Sequence, residues 1–304
     1  MRTLIIGASG LIGKALMKEL GDNNHQPVAL SRNLAKARDI LGENTELHYW
    51  DGQSSGELAG LISGTDAVIN LAGENISAGR WTSRRKSLII QSRVNTGKIL
   101  AEALKMSSPR PSVLIQGSAI GIYGTRIDTV TGENGQAGTG FIAELTEAWE
   151  QSVKPAEDLV SRMIRIRTGL VLARDGGLME KMMLPYRFGS GAILGSGRQW
   201  MSWIHITDQV RAIRFLLENN RSAGVYNLTA PEAVTMEKFM RTISLLTGKP
   251  AWLRIPGWLL KTALGEMAGE TVLASQNIYP QRLLNEGFIF NHSSLESALR
   301  DLVI

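Results

Sequence analysis

Aliphatic runs and amphipathic stretches alternate through the first half of the chain, the pattern of a parallel sheet whose strands are joined by crossover helices. Strands are predicted at Thr3–Ile6, Pro27–Ser31, Glu46–Tyr49, Ala67–Leu71, Val113–Gln116 and Met163–Arg167. The last of these reads MIRIR, alternating apolar with charged where the earlier strands do not, which predicts a place nearer the sheet edge. Between Thr82 and Met106 the spacing of Ile90, Val94, Gly97, Ala101 and Leu104 predicts one long helix. That stripe reads first as core, and by analogy alone as the face on which a homodimer would form.

After Thr168 the texture changes to long glycine-rich connections (ARDGG, FGSGAILGSGRQ, TAPEA). Helices are still predicted at Thr207–Asn220, with Thr207 as N-cap, at Thr235–Thr247, stopped by Gly248 and Pro250, and at Leu295–Leu302. This half of the chain is expected to build a second, smaller lobe.

Composition narrows the classes. With 43% hydrophobic and 20% charged residues over 304 positions, the chain can bury a full core, which argues against disorder. The absence of cysteine excludes disulfides and thiolate metal sites and fits a reducing compartment. The four histidines, His25, His48, His205 and His292, show no metal-ligand spacing, so no metal is expected. No basic leader precedes a long apolar segment, and no apolar run approaches the ~18 residues of a spanning helix; a cytoplasmic protein without membrane association is expected. The net charge of +5 is scattered, its densest run being Arg84-Arg85-Lys86. That argues against nucleic acid and suits a small ligand bearing phosphate.

The chemistry begins at TLIIGASGLIG (3–13), where a strand runs into Gly7, Gly10 and Gly13 and then a helix. A helix start of this kind leaves N–H groups and the positive end of the dipole aimed at the turn, a setting for pyrophosphate. Gly7 permits the tight turn, Gly10 the approach of backbone to phosphate, and Gly13 close packing of helix on sheet. The overlapping ASGLIGKA (8–15) is not a triphosphatase loop, because Ala8 and Ala15 stand where Gly and Ser or Thr are required. The predicted class is therefore α/β, a Rossmann-type doubly wound parallel sheet with a smaller C-terminal substrate lobe. The nucleotide-binding domain would take residues 1–172 and about 203–228, and the lobe about 173–202 and 229–304. At the end of the second strand, where an NAD enzyme places Asp or Glu, stand Ser31 and Arg32. A guanidinium suits a 2′-phosphate, so NADP is the expected cofactor.

GASGLIG, DAVINLAG (66–73), GSAIGIYG (117–124), RTGLVLARDGG (167–177) and WIHITDQV (203–210), in this order, resemble the extended short-chain dehydrogenase/reductase superfamily. GEN-I-x3-RWT (73–82), SRVNTGKIL (92–100), GSGRQWMSWIHI (195–206) and the closing GEMAGETVLASQNIYPQRLLNEGF resemble its YfcH-like, sugar-nucleotide-epimerase-like branch. The small C-terminal module of that branch would fall at about 254–302. The resemblance implies that Gly7, Ser9, Gly10, Leu11 and Ile12 line the pyrophosphate and that Arg32 meets the 2′-phosphate. It places Leu71, Ala72 and Gly73 beneath the adenosine ribose, and Thr168 and Gly169 near the nicotinamide. It also implies a small-molecule substrate, phosphorylated or a nucleotide sugar, with Arg80, Glu133 and Arg198 as candidate contacts.

Enzymes of the superfamily move a proton through a tyrosine whose pKa, ordinarily about 10, is lowered by a lysine four residues on. Here the corresponding segment is GFIAELTEAWE (140–150), with Phe141 and Leu145 at those two positions. The serine position falls on Ala119, with Ser118 one residue earlier. Tyr123 and Ser118 are left as candidate proton carriers, with Trp81 and His205 as further candidates for shaping an anionic site. Two readings stay open: an oxidoreductase or epimerase-like enzyme with an atypical proton donor, and a non-catalytic NADP(H)-responsive binding or regulatory protein.

Overall fold

Leu4, Ile5 and Ile6 are fully buried because their strand is covered by helices on both faces, and the same holds for Val28–Leu30, Ala67–Ile69 and Val113–Ile115. The computed structural model describes residues 1–303. Its first half runs β1 (Arg2–Ile6), α1 (Leu11–Asp22), β2 (Gln26–Ser31), α2 (Leu34–Leu41), β3 (Glu46–Tyr49), α3 (Ser55–Ile62), β4 (Ala67–Asn70), α4 (Ser83–Met106) and β5 (Val113–Ala119). There follow β6 (Arg126–Thr131), α5 (Phe141–Ser152), β7 (Arg162–Thr168), β8 (Leu170–Leu172), α6 (Gly177–Arg187), β9 (Ala192–Leu194), β10 (Trp200–Met201), β11 (Trp203–His205) and α7 (Ile206–Glu218). The remainder is β12 (Gly224–Leu228), β13 (Val234–Thr235), α8 (Met236–Thr247), β14 (Leu253–Ile255), α9 (Gly257–Leu264), β15 (Ser275–Ile278), α10 (Gln281–Asn285) and α11 (Leu295–Val303).

Seven parallel strands form the central sheet in the order β12-β7-β5-β4-β1-β2-β3, so the chain reverses direction between β1 and β4. In such a doubly wound sheet, ligands bind outside the carboxyl ends of the strands at that reversal. The six predicted strands are present, and a seventh, β12, was not expected. It covers the outer edge of β7, which is therefore next to the edge. The arginines of β7 are tolerated there because each has partners: Arg162, just before MIRIR, caps the carbonyls of Leu216, Leu217, Asn219 and Ser222 at the end of α7. Arg165 and Arg167 pair with Glu157 and Glu150.

Two corrections concern helices. The N-cap of α7 is His205, whose ring Nδ1 accepts the Thr207 N–H at 3.2 Å, so Thr207 lies inside the first turn. In α4, capped by Thr82, the stripe from Gly97 to Leu104 is internal: a Cβ at Gly97 would stand 1.9 Å from Ser152 Oγ. The apolar side chains that this helix exposes are Leu88 and Ile90 near its start and Met106 at its end.

A separate core joins α6, α8 and α11 through Met179, Tyr186, Trp203, Phe239 and Leu299. Short strand pairs attach the late segments to earlier ones, β14 on β9 and β15 on β6. Among the described residues no helix is long and apolar enough to cross a membrane.

Candidate functional site

The turn between β1 and α1 is built for close approach. Gly7 has φ +87°, and a Cβ there would lie 2.9 Å from the Leu71 carbonyl group. A Cβ at Gly13 would be 2.3 Å from the Gly7 carbonyl oxygen and 2.7 Å from Ala8 Cα. Gly10 is the N-cap of α1 and supplies no side chain, which leaves the first-turn N–H groups facing the turn. Ser9, Gly10 and Leu11 are exposed, Ile12 is half-buried, and Leu11 lies under Gly177 at the start of α6. Arg32, at the end of β2, is exposed with its side chain beside Gly52, and no ion pair among the described residues engages it. The chain after β4 completes this rim: Leu71 and Ala72 pack on Gly7, and Gly73 is exposed. These features fit a dinucleotide: a cradle in which Cβ atoms have no room, an uncapped helix start and a free cation.

Beyond β4 the site is roofed by residues 74–82. Lys181 of α6 donates to Ser77 Oγ at 2.9 Å, and Arg80 donates to the Thr262 carbonyl of α9 at 3.2 Å. Arg80 is thus part of the latch between the loop and the C-terminal segment. Trp81 donates to the Ile76 carbonyl and meets the Phe141 ring edge-on, with centroids 4.9 Å apart. Lys86 Nζ stands 4.7 Å from the same ring and pairs with Glu266. Leu145, one turn on, is buried with Ile89 and Ile142. The N-terminus of α5, at Gly140 with φ +105°, is capped by the Glu270 carboxylate, which accepts the Ile142 N–H at 3.1 Å. A carboxylate at that end of a helix is favoured by its dipole.

Strand register explains a buried polar cluster. Ser118, Arg167 and Asn227 stand side by side on β5, β7 and β12. Ser118 donates to Glu150 Oε1, and Arg167 holds both oxygens of Glu150 at 2.8 and 3.0 Å. Arg167 also donates to Tyr123 Oη at 2.9 Å, and the Tyr123 hydroxyl donates to Asn227 Oδ1 at 2.8 Å. Burial, only partly offset by Arg167, raises the Tyr123 pKa above its ordinary value, the opposite of what a proton carrier at neutral pH needs. The two candidate proton carriers have both committed their hydroxyl protons to protein acceptors. Glu133 belongs to the same assembly, its carboxylate accepting the backbone N–H groups of Asn227 and Arg282.

The other expected contacts are dispersed. Thr168 ends β7 beside Ala119 and accepts from Gln209 at 3.1 Å. Arg198 is exposed and borders an open surface cavity of about 470 Å³ with Lys238 and Arg241, which shares no residue with the glycine turn.

Folding also brings together two histidines that the sequence keeps apart. His205 and His292 have ring centroids 4.0 Å apart, and with Asp301 their ligand-type atoms fall within 4.8 Å of one another. His205 Nδ1 is spent on Thr207, so neutral His205 carries its proton on Nε2, 3.2 Å from Asp301 and out of line for a hydrogen bond. That tautomer offers no lone pair to a metal. Burial, then repulsion from His292, lowers the His205 pKa despite Asp301 and Asp208. The unfolded chain therefore binds this proton more readily, and stability is expected to fall as pH drops below about 6.5 toward the depressed folded value. Melting temperatures between pH 7.5 and 5.5 check this: His205→Asn, which retains a cap acceptor, should flatten the slope, and an unchanged slope refutes the assignment.

The profile of the NAD dependent epimerase/dehydratase family matches residues 3–138 and 171–229, well over half of the chain. The chain belongs to this family. A second profile, a domain of unknown function (DUF1731), matches residues 255–302 of this epimerase-family protein. "Epimerase family protein ML0860" of Mycobacterium leprae is 36% identical over 97% of this chain and 93% of its own length. "Epimerase family protein YfhF" of Bacillus subtilis is 35% identical over 100% and 98%. The crystal structure of human epimerase family protein SDR39U1 (isoform2) with NADPH superposes with a TM-score of 0.90 at 30% identity, covering 99% of both chains.

Residue-level reasoning missed Glu150, Arg167, Asn227, Glu270 and Arg93. The motifs RTGLVLARDGG and SRVNTGKIL contain two of them, but nothing in either motif says where those side chains go.

Proposed function

We propose that this epimerase-family protein binds NADP(H), with Gly7, Ser9, Gly10, Leu11 and Ile12 at the pyrophosphate and Arg32 on the 2′-phosphate. Residues 1–172 and about 203–228 would form the cofactor domain and the rest the substrate lobe, in a cytoplasmic oxidoreductase or epimerase-like enzyme acting on a small molecule. The carrying observation is the unpaired, exposed Arg32 at the end of β2, beside a turn that admits no Cβ. The NADPH in the human relative's structure supports the same reading. The cofactor, when bound, supplies or accepts hydride; the chain's part is to hold it and to shape the cleft.

The expected result of Arg32→Ala is a loss of about tenfold or more in NADPH affinity with NADH affinity little changed, since a charge-assisted contact is worth ~1.5–3 kcal/mol. Fluorescence titration of both nucleotides reads this. Equal affinity for the two in the wild type, or an unaltered preference in the variant, refutes it.

A second reading, a non-catalytic NADP(H)-responsive protein, rests on a specific observation. Phe141 and Leu145 are used for packing, and Ser118 and Tyr123 are bound into the buried network. Phe141→Tyr combined with Leu145→Lys separates the readings. Turnover of carbonyl or nucleotide-sugar substrates only in the double variant favours the binding protein, and turnover by the wild type favours the enzyme.

A further inference from the structure

The chain closes a ring around the start of α1, through contacts between segments far apart in sequence. Leu71, just past β4, packs on Gly7 and donates its backbone N–H to the Ile6 carbonyl at 2.8 Å. Beyond Gly73 the strap of residues 74–82 reaches α6, where Lys181 Nζ donates to Ser77 Oγ at 2.9 Å and to the Ser77 carbonyl at 3.2 Å. The start of α6 returns to the glycine turn at Gly177, where a Cβ would stand 3.2 Å from Leu11 Cδ2.

The joints of this ring are unequal. The one at Leu71 is backbone on backbone, beside the middle of the sheet. The strap is exposed along most of its length, and among its described hydrogen bonds only the Glu74 backbone N–H reaches outside it, to Ser92 Oγ at 3.0 Å; those of Ala78, Gly79 and Thr82 stay within the strap. Lys181 is itself exposed, and an ammonium on a hydroxyl and a carbonyl in water adds little net stability. Gly176 and Gly177, at φ +103° and +65°, lead into α6, so that helix begins on two residues able to absorb a swing. The Lys181–Ser77 contact is the joint that opens first.

The path of a dinucleotide runs through the ring. With its 2′-phosphate on Arg32, the adenosine end lies on the β2 side of β1, and the nicotinamide end lies past β4, toward β5 and β7. The pyrophosphate between them sits at the start of α1, which the ring encircles. A base and a ribose at either end keep such a ligand from sliding out lengthwise.

Resting on the cofactor assignment above, we propose that the strap and α6 form a belt over the pyrophosphate, fastened by Lys181 on Ser77, and that the nucleotide enters and leaves only when this fastening opens. A gate of this kind stands on the way in and on the way out. It slows both rates by the same factor and leaves the affinity unchanged.

The absence of cysteine makes the test clean, since Ser77→Cys with Lys181→Cys supplies one pair of thiols. A short bis-thiosulfonate reagent bridges the span that the lysine side chain fills, and dithiothreitol releases it. Bridged after loading, the protein should release NADPH, chased with excess NADP and followed by its fluorescence, at least about tenfold more slowly than before bridging, with the rate restored by dithiothreitol. Bridged while empty, it should take up NADPH more slowly by a similar factor. Lys181→Ala should speed entry and release alike, about fivefold, with the dissociation constant unchanged. A bridged protein that exchanges NADPH at the unbridged rate overturns the belt, as does Lys181→Ala with both rates of the wild type. Faster release with unchanged entry in Lys181→Ala makes the lysine an ordinary ligand contact and refutes the gate. Should the cysteine pair not fold, Lys181→Ala decides alone. A wild-type protein that binds no NADPH overturns the cofactor reading and this one together.

Discussion

Glu150→Ala is expected to cost about 3–5 kcal/mol of folding stability, the range for removing one partner of a buried ion pair. The side chains of Glu150 and Arg167 are 9% and 11% exposed, so the stranded guanidinium could not reach water. Ser118 would lose its acceptor as well. Bonding to Glu150 holds the Arg167 pKa above its ordinary value despite an opposing effect of burial, so the arginine would stay charged. Urea unfolding of the variant and of Tyr123→Phe gives the comparison. The phenylalanine removes one hydroxyl and leaves Asn227 Oδ1 without its donor, a smaller loss of about 1–3 kcal/mol. Glu150→Ala unfolding within about 0.5 kcal/mol of wild type would show that the network is not structural.

The second large effect is on ligand binding. Gly13→Ala places a Cβ 2.3 Å from the Gly7 carbonyl oxygen and 2.7 Å from Ala8 backbone atoms, none of which can rotate away. The turn must open, moving the N–H groups that would face pyrophosphate, and NADPH affinity should fall about a hundredfold or more, roughly 2.7 kcal/mol. Gly21→Ala, in the same helix with nothing within 4 Å, is the control. It should bind normally and melt slightly higher, because alanine favours a helix over glycine by up to ~1 kcal/mol. Equal binding by the two variants would remove the glycine turn from the site.

What could be read in advance was local or periodic. The six strands, the long helix and the glycine turn follow from patterns within a few residues, and Arg32 from its distance to that turn. β12 went unread because GVYNL is short and begins with glycine; it is a strand because the edge of β7 offers it hydrogen bonds. Thr207 reads as the cap of α7 in place of His205, since an imidazole is a rarer cap than a threonine.

The amino-acid sequence by itself determined the family, the doubly wound sheet and a turn fit for a dinucleotide, because periodicity and glycine placement act at short range. Only the tertiary structure decided what becomes of the charged and hydroxyl groups. Strand register set Ser118, Arg167 and Asn227 in one row and drew Tyr123 and Glu150 into it, while the packing of α4 on α5 stacked the half-buried Arg93 on Trp149. These are contacts between residues far apart in the chain, and their energies depend on burial and partner geometry, neither of which is written in the spacing of the residues.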